Sequence, residues 1–168
     1  MGTNHAATLP LWYRLLNCGF QVPASAGTDC FLNRIRSKLP GQDRVYVHVD
    51  GTFTYEKWIA SLRAGRTFVT NGPVFEFNIH GHNAGKTITL SEPGGVNLRT
   101  VVESQYPLDK LEVIYNGQVV HTNGLKGTLR IDLNQEIPIP ASGWVAVRAS
   151  GPYHRDNPTG SVFGHTSP

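Results

Sequence analysis

Apolar and polar residues follow two regimes along this chain, and the change falls near residue 70. Over residues 5–18, Leu11, Leu15 and Cys18 recur at helical spacing, which predicts a helix with those three on its buried face. Pro10 falls in the first regular turn, where a missing N–H does no harm, and Gly19 supplies the stop. The small, mostly apolar run Ala24–Asp29 predicts a buried strand with Asp29 at its C-terminal tip. Residues 33–43, with the turn pair Pro40-Gly41, predict a polar loop. Arg44–Val49 alternates cleanly and predicts a strand. Thr54 is a natural N-cap for a second helix, Tyr55–Ala64, with Glu56 favouring its positive end. Trp58, Ile59 and Leu62 mark the buried face of that helix, and Gly65 ends it.

Beyond Gly65 the helical period disappears and period two takes over. Thr67–Thr70 and Val74–Ile79 flank the turn Asn71-Gly72-Pro73. Val96–Glu103, Leu111–Tyr115, Gln118–His121, Thr128–Leu133 and Trp144–Ala149 continue the series. Asn116-Gly117 between two apolar runs is a strong two-residue hairpin signal. Strands at this spacing, separated by glycine- and proline-rich turns, predict an antiparallel, immunoglobulin-like β-sandwich. The fold class is therefore α+β, mainly β, with a division into residues 1–70 and 71–168. Two helices and two strands are too few to bury both faces of a sheet. The first segment must dock on the sandwich or on something else.

Composition agrees with a β-rich body: 18 Gly and 11 Pro supply turns, and only 16% of residues are charged. Three Trp, seven Phe and six Tyr provide material for a core. The net charge of +3 is small and scattered, with Arg34, Arg36 and Lys38 the one local basic cluster. This gives no support for a nucleic-acid partner. No apolar run has the length of a membrane span, and no secretory leader pattern opens the sequence. Cys18 and Cys30 match no zinc or redox spacing and are expected as buried free thiols, with a disulfide as the alternative if the protein is exported.

Three stretches carry a family resemblance. Trp12–Asp29 (W-Y-R-L-L-N-C-G-F-Q-V-P-A-S-A-G-T-D) is similar to the last barrel segment of PHP-type metallohydrolases, in the carbaryl-hydrolase-like CehA/McbA branch. Leu62–Pro73 (L-R-A-G-R-T-F-V-T-N-G-P) resembles the segment that leaves the barrel in that branch. Phe163–Pro168 (F-G-H-T-S-P) resembles the end of its C-terminal β domain. The resemblance implies that residues 1–70 are terminal β/α elements of an incomplete PHP barrel. It also implies a parent enzyme whose divalent ions (Zn, Mn or Fe) activate water for hydrolysis of a phosphoester or related ester. Asp29 stands at the aspartate of the family's Gly-Ser-Asp-x-His motif, which makes it a metal ligand of the parent. Phe31 replaces the motif's histidine. Most family ligands, including an early His-x-His pair, have no counterpart here. The chain alone is thus expected to lack a bound metal and to be inactive, with the missing barrel or self-association as partner.

Two other readings use the same residues. A stand-alone β-sandwich could bind carbohydrate or protein through exposed aromatics such as Trp144 and Tyr153. A small complete enzyme could hold one metal at Asp29 with His5 and His48 brought near by folding. His80-Gly81-His82 looks like a metal pair but falls in a turn, so solvent-exposed histidines are expected there. Cys30 has no base nearby in sequence and is assigned to packing. Tyr153-His154-Arg155-Asp156 is a solvated loop. His165 is structural, and Trp12, Trp58 and Trp144 are core. Ser25 and Ser161 lack a nucleophile-elbow context.

Overall fold

A computed structural model describes residues 5–35, 37–157 and 160–168. The chain is mainly β, an α+β fold in which every strand pair is antiparallel. The elements in order are α1 (His5–Asn17), β1 (Arg44–Val47), α2 (Tyr55–Arg63), β2 (Thr67–Thr70), β3 (Val74–Ile79), β4 (Gly94–Tyr115), β5 (Gln118–Ile139), β6 (Val145–Tyr153) and β7 (Ser161–Thr166). The sheet order is β1-β2-β7-β6-β4-β3, with β5 also on β4. No helix among the described residues is long and apolar enough to cross a membrane.

One long hairpin makes the sandwich. β4 and β5 are 22 residues each and turn at Asn116-Gly117, whose φ angles of 49° and 83° are the left-handed pair a two-residue turn requires. The first half of β4 pairs with β3, through Leu98–Glu103, and its second half with β6, through Lys110–Tyr115. Between them the β4–β5 register shifts on either side of Leu108. Such bulges bend a strand and increase its twist. The sheet therefore curls onto itself, and both layers share the hairpin. Phe75, Leu98, Val102, Leu111, Val113, Ile131, Val147 and Val162 close the space between the layers.

A second apolar cluster lies on the other face of the β1-β2-β7-β6 layer, beneath α1. It contains Leu9, Trp12, Leu16, Ala24, Val69 and Phe163. The buried face of α1 is thus Leu9, Trp12 and Leu16, and not the expected Leu11, Leu15 and Cys18, all of which are exposed. Both stripes have helical spacing. The Trp12 stripe is selected because its indole N–H donates to the Val22 carbonyl at 2.7 Å while the ring packs on the sheet. The cysteines are free, Cys18 exposed and Cys30 half-buried, so the expectation of two buried thiols is corrected. In α2, Thr54 caps as expected, accepting from the Lys57 N–H. Trp58, Ile59 and Leu62 are only half-buried.

The run Ala24–Asp29 is not a strand. It keeps the alternation of one, with Ala24, Ala26 and Thr28 inward and Ser25, Gly27 and Asp29 outward. Hydroxyl groups take the place of a ladder partner. Ser167 Oγ accepts from the Ala24 N–H at 2.9 Å, and Thr67 Oγ1 donates to the Ala24 carbonyl at 2.9 Å. Thr67 has then spent its proton, so the 2.7 Å contact between the two hydroxyls is a donation from Ser167. β7 was not anticipated from the sequence as a strand. It lies between β2 and β6, with His165 opposite Val69 on one side and Arg148 on the other.

Candidate functional site

A gathering of titratable side chains lies where α1 crosses β7 and β6. Alternation along β7 turns Val162 toward the inner core and Phe163 and His165 toward α1. Glu112 on β4 and Arg148 on β6 are a directly paired cross-strand couple. Tyr13, one residue past Trp12, reaches down from α1. Gly117 in the hairpin lies against Tyr13 and Asn17.

The hydrogen bonds fix the protons on His165 and Tyr13. His165 is fully buried, and its Nδ1 lies 2.7 Å from the Thr166 carbonyl, which can only accept. Nδ1 therefore carries the hydrogen, and Nε2 is left as an acceptor for the Tyr13 hydroxyl at 2.6 Å. Burial pulls the His165 pKa down to about 4, assisted by the Arg148 charge and opposed by the Thr166 carbonyl. Burial pushes the Tyr13 phenol up to about 12, with Arg148 acting in the opposite sense. Arg148 is anchored by Glu112, with Nε at 2.9 Å and Nη2 at 2.8 Å from Glu112 Oε2. His5 stacks on Phe163 at 4.0 Å, and its pKa is lowered by burial and by Arg148.

A general base needs an accessible lone pair and a pKa near the working pH. His165 has neither, because its only lone pair is taken and no solvent reaches it. What the group does well is hold α1 on the sheet. Trp144 adds to this, its indole N–H donating to Asn17 Oδ1 at 2.7 Å and its ring packing 5.1 Å from Tyr13. The structural role expected for His165 agrees with this geometry, but the partnership with Tyr13, Arg148 and Glu112 was not visible in the sequence. The available signal was a histidine inside Val162-Phe163-Gly164-His165-Thr166, a run that alternates large and small.

Asp29 lies elsewhere. It is exposed, has a left-handed φ of 51°, and its carboxylate has no hydrogen-bond or ion-pair partner among the described residues. The neighbouring Thr28 does the local structural work, donating to the Asp43 carbonyl at 3.0 Å and accepting from the Gly41 N–H at 2.9 Å. Phe31 is half exposed, with the Arg34 guanidinium 4.3 Å from its ring centre. His5 is held against Phe163, and His48 pairs with Asp50 at 2.9 Å, so neither joins Asp29. Among the described residues no three His, Cys, Asp or Glu side chains are grouped to share a metal ion. A divalent cation needs several such ligands, and the residues described in this chain do not by themselves fit one.

The remaining candidates stay apart. His80 and His82 are exposed on a tight turn, with φ angles of 50° at His80 and 85° at Gly81. Tyr153 is exposed, while the half-buried Trp144 is committed to α1, so the two do not form a shared aromatic platform. No protein-family model matches this chain, and neither does any curated protein or solved structure.

Proposed function

We propose that this chain is the C-terminal portion of a PHP-like metal-dependent hydrolase. Residues up to about 43 belong to the last barrel elements, while β1 pairs antiparallel with β2 and β2 with β7, so that both join residues 71–168 in an accessory β-sandwich. The carrying observation is where the apolar surface remains. Among the described residues, eleven of the sixteen large apolar side chains that stay exposed lie before residue 56. Phe31, Leu32, Ile35 and Leu39 share one loop, and Ile35 is entirely uncovered. Exposed apolar groups in such density mark a contact surface. A barrel packed on this side would cover them, and Asp29 faces outward from the same segment.

In this reading Asp29 contributes one ligand to a Zn, Mn or Fe site whose other ligands come from the barrel. The ions there would activate water toward a phosphoester or related ester. The clamp at Tyr13 and His165 fixes the sandwich to the barrel's last helix. The chain alone is inactive, and without its barrel it self-associates through the uncovered loop.

Two measurements test this. The chain is incubated with bis(4-nitrophenyl) phosphate and Mn²⁺ or Zn²⁺, where no metal-dependent hydrolysis is expected. Turnover that disappears in Asp29→Asn would overturn the reading. The coding sequence upstream of Met1 is then read. An in-frame His-x-His supports the proposal, and an in-frame stop codon immediately before Met1 defeats it.

A further inference from the structure

The larger of the two main cavities is not beneath His165. It opens at one end of the sandwich, where β3 and β5 end and β4 and β6 begin, and its volume is about 880 Å³. That lies within the usual range for small-molecule sites. Its floor is the open edge of the inner core: Ile79, Val96, Ile139 and Val145, with Ile88 and Leu90 contributed by the irregular loop between β3 and β4. The wall on the α1 side carries Leu16, Val22 and Trp144. Gly85 keeps this wall close-packed, because its backbone lies against Ala64 and Gly65 where a side chain would collide, and its N–H donates to the Pro168 carbonyl at 2.7 Å.

Among the side chains lining this cavity the charge is one-sided, with the main chain of Pro168 on the same wall. Arg63, at the end of α2, and Lys86, on the loop, both line it, and no Asp or Glu side chain does. Both are exposed, and neither has a hydrogen-bond or ion-pair partner among the described residues. Arg66, Arg130, Arg148 and Lys38 are paired with carboxylates, whereas Arg14, Arg99, Lys110 and Lys126 share the uncommitted state of Arg63 and Lys86 among the described residues. A half-open cavity with an apolar floor, partly polar walls and two uncommitted cations among its lining residues is complementary to a molecule that is apolar along its body and anionic at one end.

We infer that this cavity binds a small amphipathic anion of the fatty-carboxylate type, with the hydrocarbon among Ile79, Ile88, Leu90 and Val96 and the carboxylate between Arg63 and Lys86. The inference does not depend on the barrel association. It is tested by titrating the chain with dodecanoate below its micellar concentration, following tryptophan fluorescence and calorimetric heat. Saturable one-to-one binding is expected, tightening roughly tenfold for each two methylenes from octanoate to dodecanoate. Arg63→Ala and Lys86→Ala should each weaken dodecanoate about threefold, as for exposed ion pairs, and leave dodecanol unaffected. Leu90→Glu should abolish binding with the circular dichroism spectrum retained. Absence of one-to-one binding, equal affinity for dodecanol, or an unchanged affinity in the Arg63→Ala, Lys86→Ala double variant would each overturn it.

Discussion

The two faces of the β1-β2-β7-β6 layer are closed by different means. The inner face is sealed by aliphatic side chains from both layers, with Leu98, Leu111 and Val113 fully buried and no polar partner needed. The outer face also buries a few apolar residues, but it is completed by directional bonds: an imidazole to a phenol, an indole to a carbonyl, two hydroxyls to the backbone of Ala24. Aliphatic packing is non-directional and insensitive to protons. Hydrogen bonding of buried groups is weak in net gain but costly to leave incomplete. The inner face should therefore govern whether the chain folds, and the outer face whether residues 5–43 remain attached.

The largest effect expected from breaking this contrast is on the inner side. Leu111→Ala should cost about 2–5 kcal/mol, the range for emptying a buried leucine site. The whole chain should unfold as one transition in urea, outer face included. A loss confined to α1 would mean that the inner core is not the common support.

Acid should act on the outer face. The folded state holds the His165 pKa at about 4, below its ordinary 6.5, so folding resists its protonation. The stabilisation is complete above pH 6.5 and is lost as pH falls through 6.5 toward 4, on the order of 3 kcal/mol. His5, lowered for the same chief reason, shifts stability in the same direction. Hydrogen exchange should show α1 amides losing protection across this window before those of β4 and β5. Equal loss in all elements would remove the distinction between the faces.

Tyr13→Phe is smaller and more specific. It deletes the single donor to His165 Nε2, and an unmet buried acceptor costs about 1–3 kcal/mol. Faster exchange in α1 with an unchanged sandwich is expected. Asp29→Asn should be the smallest, with no measurable change in urea midpoint, because its carboxylate touches nothing among the described residues. A clear destabilisation would show that Asp29 has a structural task here.

The sequence was readable where structure is local. The cap at Thr54, the stop at Gly19, the Asn116-Gly117 turn and the run of antiparallel strands each depend on a few neighbouring residues. Long-range choices were not readable. Two helical stripes compete on α1, and Val22, ten residues beyond Trp12, decides between them. Ala24–Asp29 has the alternation of a strand, but its partners are the hydroxyls of Thr67 and Ser167. β7 was missed because Gly164, His165 and Thr166 interrupt its apolar pattern, although all three are buried. The site cluster draws on α1, β4, β6 and β7, and no spacing rule links Tyr13 to His165 across 152 residues.

That separation also sets an order of events on the ribosome. The Asn116-Gly117 hairpin can close as soon as its two arms have emerged, since neighbouring segments meet without a long loop to restrain. α1 leaves the ribosome long before, yet the strand that receives it is the last one described, and at 5–20 residues per second it follows by roughly ten to thirty seconds. Throughout that interval Leu9, Trp12 and Leu16 lack Phe163 and His165, the β7 part of the surface they cover. α1 is made well before the strand that seats it, and the nascent chain is at its most adhesive just before β7 slides between β2 and β6.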